Sequence, residues 1–385
     1  MKPDWPKVTF DEGPVEIIDG DRGKNYPKRD EFFHSGHCLF LNTGNVTRMG
    51  FDFTNCQFIS ERKDNLLRKG KLDREDIVMT TRGTIGNVGY FNKNVEYEHI
   101  RINSGMVIFR ANEEELLPSF LFQYIRSSYF NKQVNSLRSG SAQPQLPIRD
   151  IKKIEIPLPD LSSQNTIAGI LSKYDNLIQN NKQRIDLLEK SSRLLYKEWF
   201  VQLRFPGYEH TKIVDGVPAG WDRVKVGDYS PLNYGKSLRK DKRKEGPFHV
   251  YGSSGVIGSH NEFLVEGPCI IVGRKGNVGS VYWSPKNCYP IDTVYYVEHE
   301  RSSLFLYYAL QNVNFINTDV AVPGLNRDLA HSRKILIPSD ILFEEFESTV
   351  NKFHKQMDIL RKANNLLMRA RNLLLPKLMN GDIPV

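Results

Sequence analysis

The chain has 385 residues, 39% of them hydrophobic, with a net charge of +8 and a pI near 9.1. That length suits two or three domains with sizeable cores; no run reaches the roughly 18 apolar residues of a membrane span, and the N-terminus lacks the apolar stretch of an export signal. The positive balance suits a polyanionic partner, and four cysteines (Cys38, Cys56, Cys269, Cys288) without a CxxC pair predict a reduced, cytoplasmic setting.

Residues 1–158 read as a globular part of mixed α/β character. Trp5-Pro6-Lys7-Val8 opens it. Asp76–Thr80 predicts a strand running into the glycine segment Gly83-Thr84-Ile85-Gly86-Asn87-Val88-Gly89, and Gly105–Phe109 predicts a strand after it. A short helix is expected over Pro118–Phe130. The loop Arg138-Ser139-Gly140-Ser141-Ala142-Gln143-Pro144-Gln145 then leads to the exit Ile154-Glu155-Ile156-Pro157.

Residues 159–205 predict a long helix. Leu171, Ile178, Ile185, Ser192 and Trp199 fall at one heptad position, with Tyr174, Asn181, Leu188 and Leu195 three residues later. Asp160 is the expected N-cap.

Residues 213–338 repeat the first part. Trp221-Asp222-Arg223-Val224 echoes the opening, and Gly273-Arg274-Lys275-Gly276-Asn277-Val278-Gly279 matches the first glycine segment at an offset of 190 residues. On that pairing Arg82 and Thr84 answer roughly to Arg274 and Lys275. The strands Cys269–Val272 and Val294–Val297 and a helix over Ser303–Asn312 complete the echo, and Ile335-Leu336-Ile337-Pro338 closes it. The second copy adds the basic run Lys236, Arg239, Lys240, Lys242, Arg243 and Lys244, and then the small-residue stretch Tyr251–Asn261. Its exit loop, Val322-Pro323-Gly324-Leu325-Asn326-Arg327-Asp328, lacks the glutamines of the first. Residues 339–385 predict a second long helix with seams through Phe343, Val350, Met357, Asn364, Arg371, Leu378 and through Phe346, Phe353, Leu360, Leu367, Leu374. Asp340 is its expected N-cap, and Asn380-Gly381 its stop.

Each helix of about 40 residues would be on the order of 60 Å long, more than a compact domain needs. The expected fold is two mixed α/β (α+β) units related by a pseudo-two-fold internal repeat and joined by two long helices pairing as an antiparallel intramolecular coiled coil. Asn181 and Asn364 are then polar breaks that fix register.

The chemistry points to binding. The glycine segments lack both the GK[ST] of a Walker loop and GxGxxG spacing. No methyltransferase Asn-Pro-Pro-Tyr-like tetrapeptide, HExxH or Cys/His metal pattern is present. His260 or His331 could serve as a base in principle, but no nucleophile or orienting carboxylate accompanies either. Cationic loops, by contrast, neutralise phosphates and fork onto guanine, and Asn and Gln pair with adenine.

Together these features resemble the DNA-specificity (S) subunits of type I restriction–modification systems. The residues carrying the resemblance are the duplicated glycine segments, Gln143–Pro159, Lys197-Glu198-Trp199-Phe200, Arg204-Phe205-Pro206-Gly207 and Leu373–Gly381, in the family's order over nearly the whole chain. The resemblance implies two target-recognition domains, each reading half of a bipartite, asymmetric double-stranded DNA site. It also implies spacer helices that set the gap and dock two methyltransferase (modification) subunits, with restriction (translocase/endonuclease) subunits joining the complex. S-adenosylmethionine, ATP and Mg would be used by those partners, with no cofactor, metal or catalytic residue expected in this chain. The candidate DNA contacts are Arg82, Thr84, Asn87, Arg138, Ser141, Gln143 and Gln145 in the first copy. In the second they are Lys236, Arg239, Lys240, Ser253, Ser254, His260, Arg274, Lys275, Asn277, Asn326 and Arg327. The competing readings are a coiled-coil protein-binding scaffold without DNA specificity and an enzyme acting alone on nucleic acid.

Overall fold

The computed structural model describes residues 5–137, 145–315 and 324–385. They fall into two compact units, Met1–Asn180 with Ala363–Val385, and Asn181–Lys362.

In the first unit, alternate residues of one strand face two different cores, as a side-chain period of two requires. Ile77 and Met79, with Val107 and Phe109, face a core completed by the helix residues Phe120, Leu121 and Tyr124. Val78 and Ile108 face the other way, toward Leu39, Ile100 and Ile102. Burial on both sides explains why these strands are apolar throughout rather than alternating. The main sheet runs Val15–Asp19, Met106–Ala111, Ile77–Thr80, Val88–Tyr90, every neighbour antiparallel. Below it lies a sheet of Phe58–Ile59, Cys38–Leu41 and Ile100–Ile102, with the last pair parallel.

The second unit has the same order. Asn233–Tyr234, Val294–Val297, Cys269–Gly273 and Val281–Ser284 form its antiparallel sheet. Gly255–His260, Phe248–Gly252 and Cys288–Pro290 form the smaller one, again with a parallel last pair. Each unit also closes on itself: Lys7–Thr9 pairs with Glu155–Pro157, and Asp222–Lys225 with Lys334–Ile337. The tryptophan openings and Ile-Pro exits of the sequence thus lead into the two edges of one ladder.

The long helices span Leu161–Tyr196 and Asp340–Met379, and each contributes one half to each unit. In the first unit Ile167, Ala168 and Leu171 share a core with Leu375, Leu378 and Met379. Asp175 meets Arg371 at 2.5 Å, and Asn364 Nδ2 donates to the Ile178 carbonyl at 3.4 Å. In the second unit Tyr196 packs edge-on against Phe346, with centroids 5.9 Å apart. Within each unit, later residues of one helix meet earlier residues of the other. The seam positions Leu171, Ile178, Ser192, Val350, Met357 and Leu378 are buried as their heptad spacing predicts.

Local expectations needed adjustment. Asp160 does cap its helix, accepting the Ser163 N–H at 2.9 Å. Asp340 is already helical, and the Phe343 N–H donates to the carbonyl of Ser339 before it. The single helix expected over Pro118–Phe130 is two, Pro118–Ile125 and Ser128–Leu137. The break falls where the Ser127 hydroxyl accepts the Phe130 N–H and starts a new turn. Gly381 closes the C-terminal helix with φ +67°.

Candidate nucleic-acid interface

The glycine segments are tight crossings between two sheet strands, and backbone hydrogen bonds fix their register. In the first unit the Gly86 N–H donates to Thr80 O, the Thr81 N–H to Gly105 O, and the Leu146 N–H to Thr81 O. In the second the Gly279 N–H donates to Gly273 O, the Arg274 N–H to Thr293 O, and the Leu325 N–H to Arg274 O. Arg82 bridges to Gln145 as Lys275 does to Gly324. The structural equivalence is therefore shifted three residues from the sequence pairing: Thr81 answers to Arg274, Arg82 to Lys275, and Thr84 to Asn277. Left-handed backbone decides this register, because Gly83 and Gly276 have φ +70° and +77°, and Gly86 and Gly279 have +87° and +76°. The sequence match instead aligned Gly83 with Gly273, which is not left-handed.

Each crossing is anchored to the smaller sheet's side of its unit. Asn87 Nδ2 donates to the Val46 carbonyl at 2.9 Å, and the Ser280 hydroxyl donates to the Ser253 carbonyl at 2.8 Å. Asn87 is thus largely committed to the frame. Arg82, Thr84, Gln145, Lys275 and Asn277 are exposed on the crossings.

The charges divide into two populations. Arg101, Arg110 and Arg126 are paired to carboxylates, as are Arg371 and the exposed Arg239. Among the described residues, Arg82, Arg274, Lys275 and Arg327 at the crossings have no carboxylate partner. Arg274 and Arg327 instead lie over the ring of Tyr234, each guanidinium carbon 5.0 Å from its centroid, and Arg274 also reaches Tyr295 at 5.8 Å. Tyr234 is 48% exposed and leads through Gly235 into Lys236 and Lys240, both exposed. Sequence reasoning missed Tyr234. Its signal was the following glycine: a Cβ at Gly235 would lie 2.1 Å from Ile291 O, as one at Gly20 would lie 2.3 Å from Asn103 O. The first unit carries Asp19 at the place of Tyr234 and Ile148 at that of Arg327. There an open cleft of about 240 Å³ is lined by Asp19, Arg22, Thr81, Arg82, Gln145 and Ile148.

Other expected contacts are placed differently. His260 is buried, and its Nδ1 accepts the Lys244 N–H at 3.1 Å, so its position within a small-residue stretch did not make it a surface group. His331 Nε2 accepts the Leu232 N–H at 2.9 Å. The Asn326 carboxamide oxygen caps the helix Arg327–Ser332 by accepting from Asp328 and Leu329. Ser253 and Ser254 sit at the hairpin turn beside the second crossing, Ser254 exposed. Arg138, Ser141 and Gln143 lie outside the described residues.

A second surface lies on the helices. Leu177, Leu366 and Leu373 in the first unit and Leu187, Leu194, Ile341 and Ile359 in the second point to solvent, with Leu366 65% and Leu373 70% exposed. Among the described residues no cluster of His, Cys, Asp and Glu could hold a metal, and no helix is long and apolar enough to cross a membrane.

Two mixed α/β units of the same strand order, each with a cationic crossing, and exposed leucines on the long helices define a class of internally repeated proteins. The family model described as type I restriction modification DNA specificity domain matches residues 15–190 and 218–362, and the chain belongs to that family. It is 23% identical to the type I restriction enzyme MjaIX specificity subunit of Methanocaldococcus jannaschii, over 80% of this chain and 78% of that one. It is 22% identical to the HindI specificity subunit of Haemophilus influenzae, over 94% and 98% respectively. The crystal structure of a type I restriction–modification S subunit from M. genitalium shares the fold at TM-score 0.56 and 19% identity, covering 97% of this chain and 96% of that one.

Proposed function

We propose that this chain is the sequence-reading subunit of a type I restriction–modification complex in the cytoplasm. Each unit reads one half of a bipartite, asymmetric site in double-stranded DNA. The observation that carries this is the set of carboxylate-free cations at the same crossing in both units, Arg82 in one and Arg274, Lys275 and Arg327 in the other. Cations whose charge no carboxylate neutralises are what phosphate and base contacts require.

The helices, paired as an antiparallel coiled coil about a pseudo-two-fold axis, set the distance between half-sites and dock two modification subunits. The exposed leucines support the docking role, because apolar side chains in solvent at helical spacing mark an interaction face. Leu366 and Leu373 stand one heptad apart on it. S-adenosylmethionine, ATP and Mg are used by the modification and restriction subunits, and this chain supplies no catalytic group.

The test is a gel shift of duplex DNA with this chain and its modification subunits over a salt series. Specific binding that weakens steeply with salt, and is lost on Leu366→Glu with Leu373→Glu, supports the reading. Salt-insensitive assembly without DNA preference points to a protein-only scaffold instead.

A further inference from the structure

We infer that the second unit reads a guanine through Arg327, held in plane by Tyr234; this rests on the DNA-reading role proposed above. Two guanidinium groups share the half-exposed Tyr234 ring, each 5.0 Å from its centroid, with no carboxylate between them among the described residues. Like charges at one ring repel each other, so the arrangement is incomplete until an electron-rich acceptor arrives.

The two arginines are not equivalent. Arg274 is half-buried and spends one Nη1–H on the Asp292 carbonyl at 3.2 Å. Arg327 is exposed and keeps its whole fork free among the described residues. A guanidinium lying on an aromatic ring has lost its rotamer freedom before binding and presents its N–H groups in one fixed plane. Guanine offers O6 and N7 as two coplanar acceptors in the major groove, the match for such a fork.

The backbone beneath Arg327 is equally fixed. Asn326 caps its helix, and the Leu325 N–H donates to Arg274 O at 2.8 Å, tying the helix start to the crossing. Base reading needs a rigid root of this kind, whereas phosphate binding does not. Flexible phosphate partners stand nearby in Lys236, Lys240, Lys242 and Lys244, which are exposed and without carboxylate partners among the described residues. Tyr234 is a positioning residue; Arg327 touches the base. The first unit, with Asp19, Ile148 and Thr81 at the corresponding places, has no such stack.

The experiment maps methylated sites in host DNA for the full complex carrying wild type, Arg327→Ala, Arg327→Lys or Tyr234→Leu. Binding is then titrated against salt on duplexes bearing the mapped site. The wild-type site is expected to hold a guanine at one position of one half. Arg327→Ala should admit other bases there alone and lose on the order of 10- to 100-fold in affinity for the guanine site. Arg327→Lys should retain partial preference, and Tyr234→Leu should narrow the discrimination without removing it. Uniform weakening over all sites, with the motif intact and a salt slope reduced by about 1, makes Arg327 a phosphate contact and overturns this inference alone. Absence of any bipartite methylated site in the wild type overturns the underlying reading as well. Arg327→Lys, which keeps the charge, shows whether a loss in the alanine variant reflects the fold.

Discussion

The two units share a frame and differ in what fills it. Strand order, the parallel pair in the smaller sheet, the closing ladder and the left-handed glycines recur in both. The contents do not. Where the first unit buries Arg101 against the fully buried Asp64, the second places Tyr289 beside His260, with centroids 5.6 Å apart. Against the helices, the first unit holds Asp175 with Arg126 and Arg371. The second holds His354, hydrogen-bonded to Tyr308 at 2.8 Å. At the crossing an open cleft stands against a cation–π stack. Backbone hydrogen bonds and glycine conformations specify the frame, leaving the side chains between them free to diverge, as two different half-sites would require.

The largest expected effect separates the units by stability. Arg101→Ala leaves the buried Asp64 with Lys71 at 2.6 Å as its remaining close ion-pair partner. It should destabilise the first unit by about 3–5 kcal/mol, seen as hydrogen exchange rising across residues 38–111 and unchanged across 233–297. Equal loss in both units would show that they do not fold independently.

The next effect belongs to the second unit. Burial, aided by Arg361, pushes the His354 imidazole down to about 4 from its ordinary 6.5, against the opposing pull of Asp358 and Glu189. The unfolded chain therefore takes up this proton first. Stability from this group is full above pH 6.5 and falls as the pH drops toward 4, by on the order of 3 kcal/mol. His354→Gln should flatten that part of the denaturation profile, and an unchanged profile would contradict the burial. In the first unit the counterpart is also held below its ordinary value, but by ion pairing and hydrogen bonding rather than by burial. Burial would raise the Asp175 carboxyl, but Arg126, Gln123 and Arg371 hold it below the usual carboxylate range. Its contribution persists above pH 3.8 and is lost only as the pH falls through its lowered value.

Smaller effects refine the crossings. Asn326→Ala removes a helix cap and should cost about 1 kcal/mol, with a matching loosening of Arg327 measurable as weaker DNA binding. Lys242→Ala should lower the salt slope of binding by about 1 without altering the methylated motif. A changed motif would move Lys242 from the phosphates to the bases.

Much of this frame was legible in the sequence because it rests on spacing. The heptads of both helices, the buried strands Ile77–Thr80 and Cys269–Gly273, and the Ile-Pro exits all follow from periodicity. The structural register of the glycines lies three residues from the match of GxxGNVG against itself, because identity of letters carries no conformation; only φ angles show which glycines are left-handed. The site was less legible for a related reason. A lone tyrosine before a glycine gives no sign that two distant arginines, Arg274 and Arg327, converge on it. Nor does a histidine in a small-residue stretch reveal that it is buried.

The central claim is that each unit reads its own word through equivalent positions, Arg82 in one and Lys275 in the other. The most direct measurement is the methylated motif produced by the complex carrying Arg82→Ala or Lys275→Ala. Relaxed preference is expected in one half-site for the first substitution and in the opposite half-site for the second. If both substitutions alter the same half, or neither alters the motif, the two crossings do not read separate half-sites.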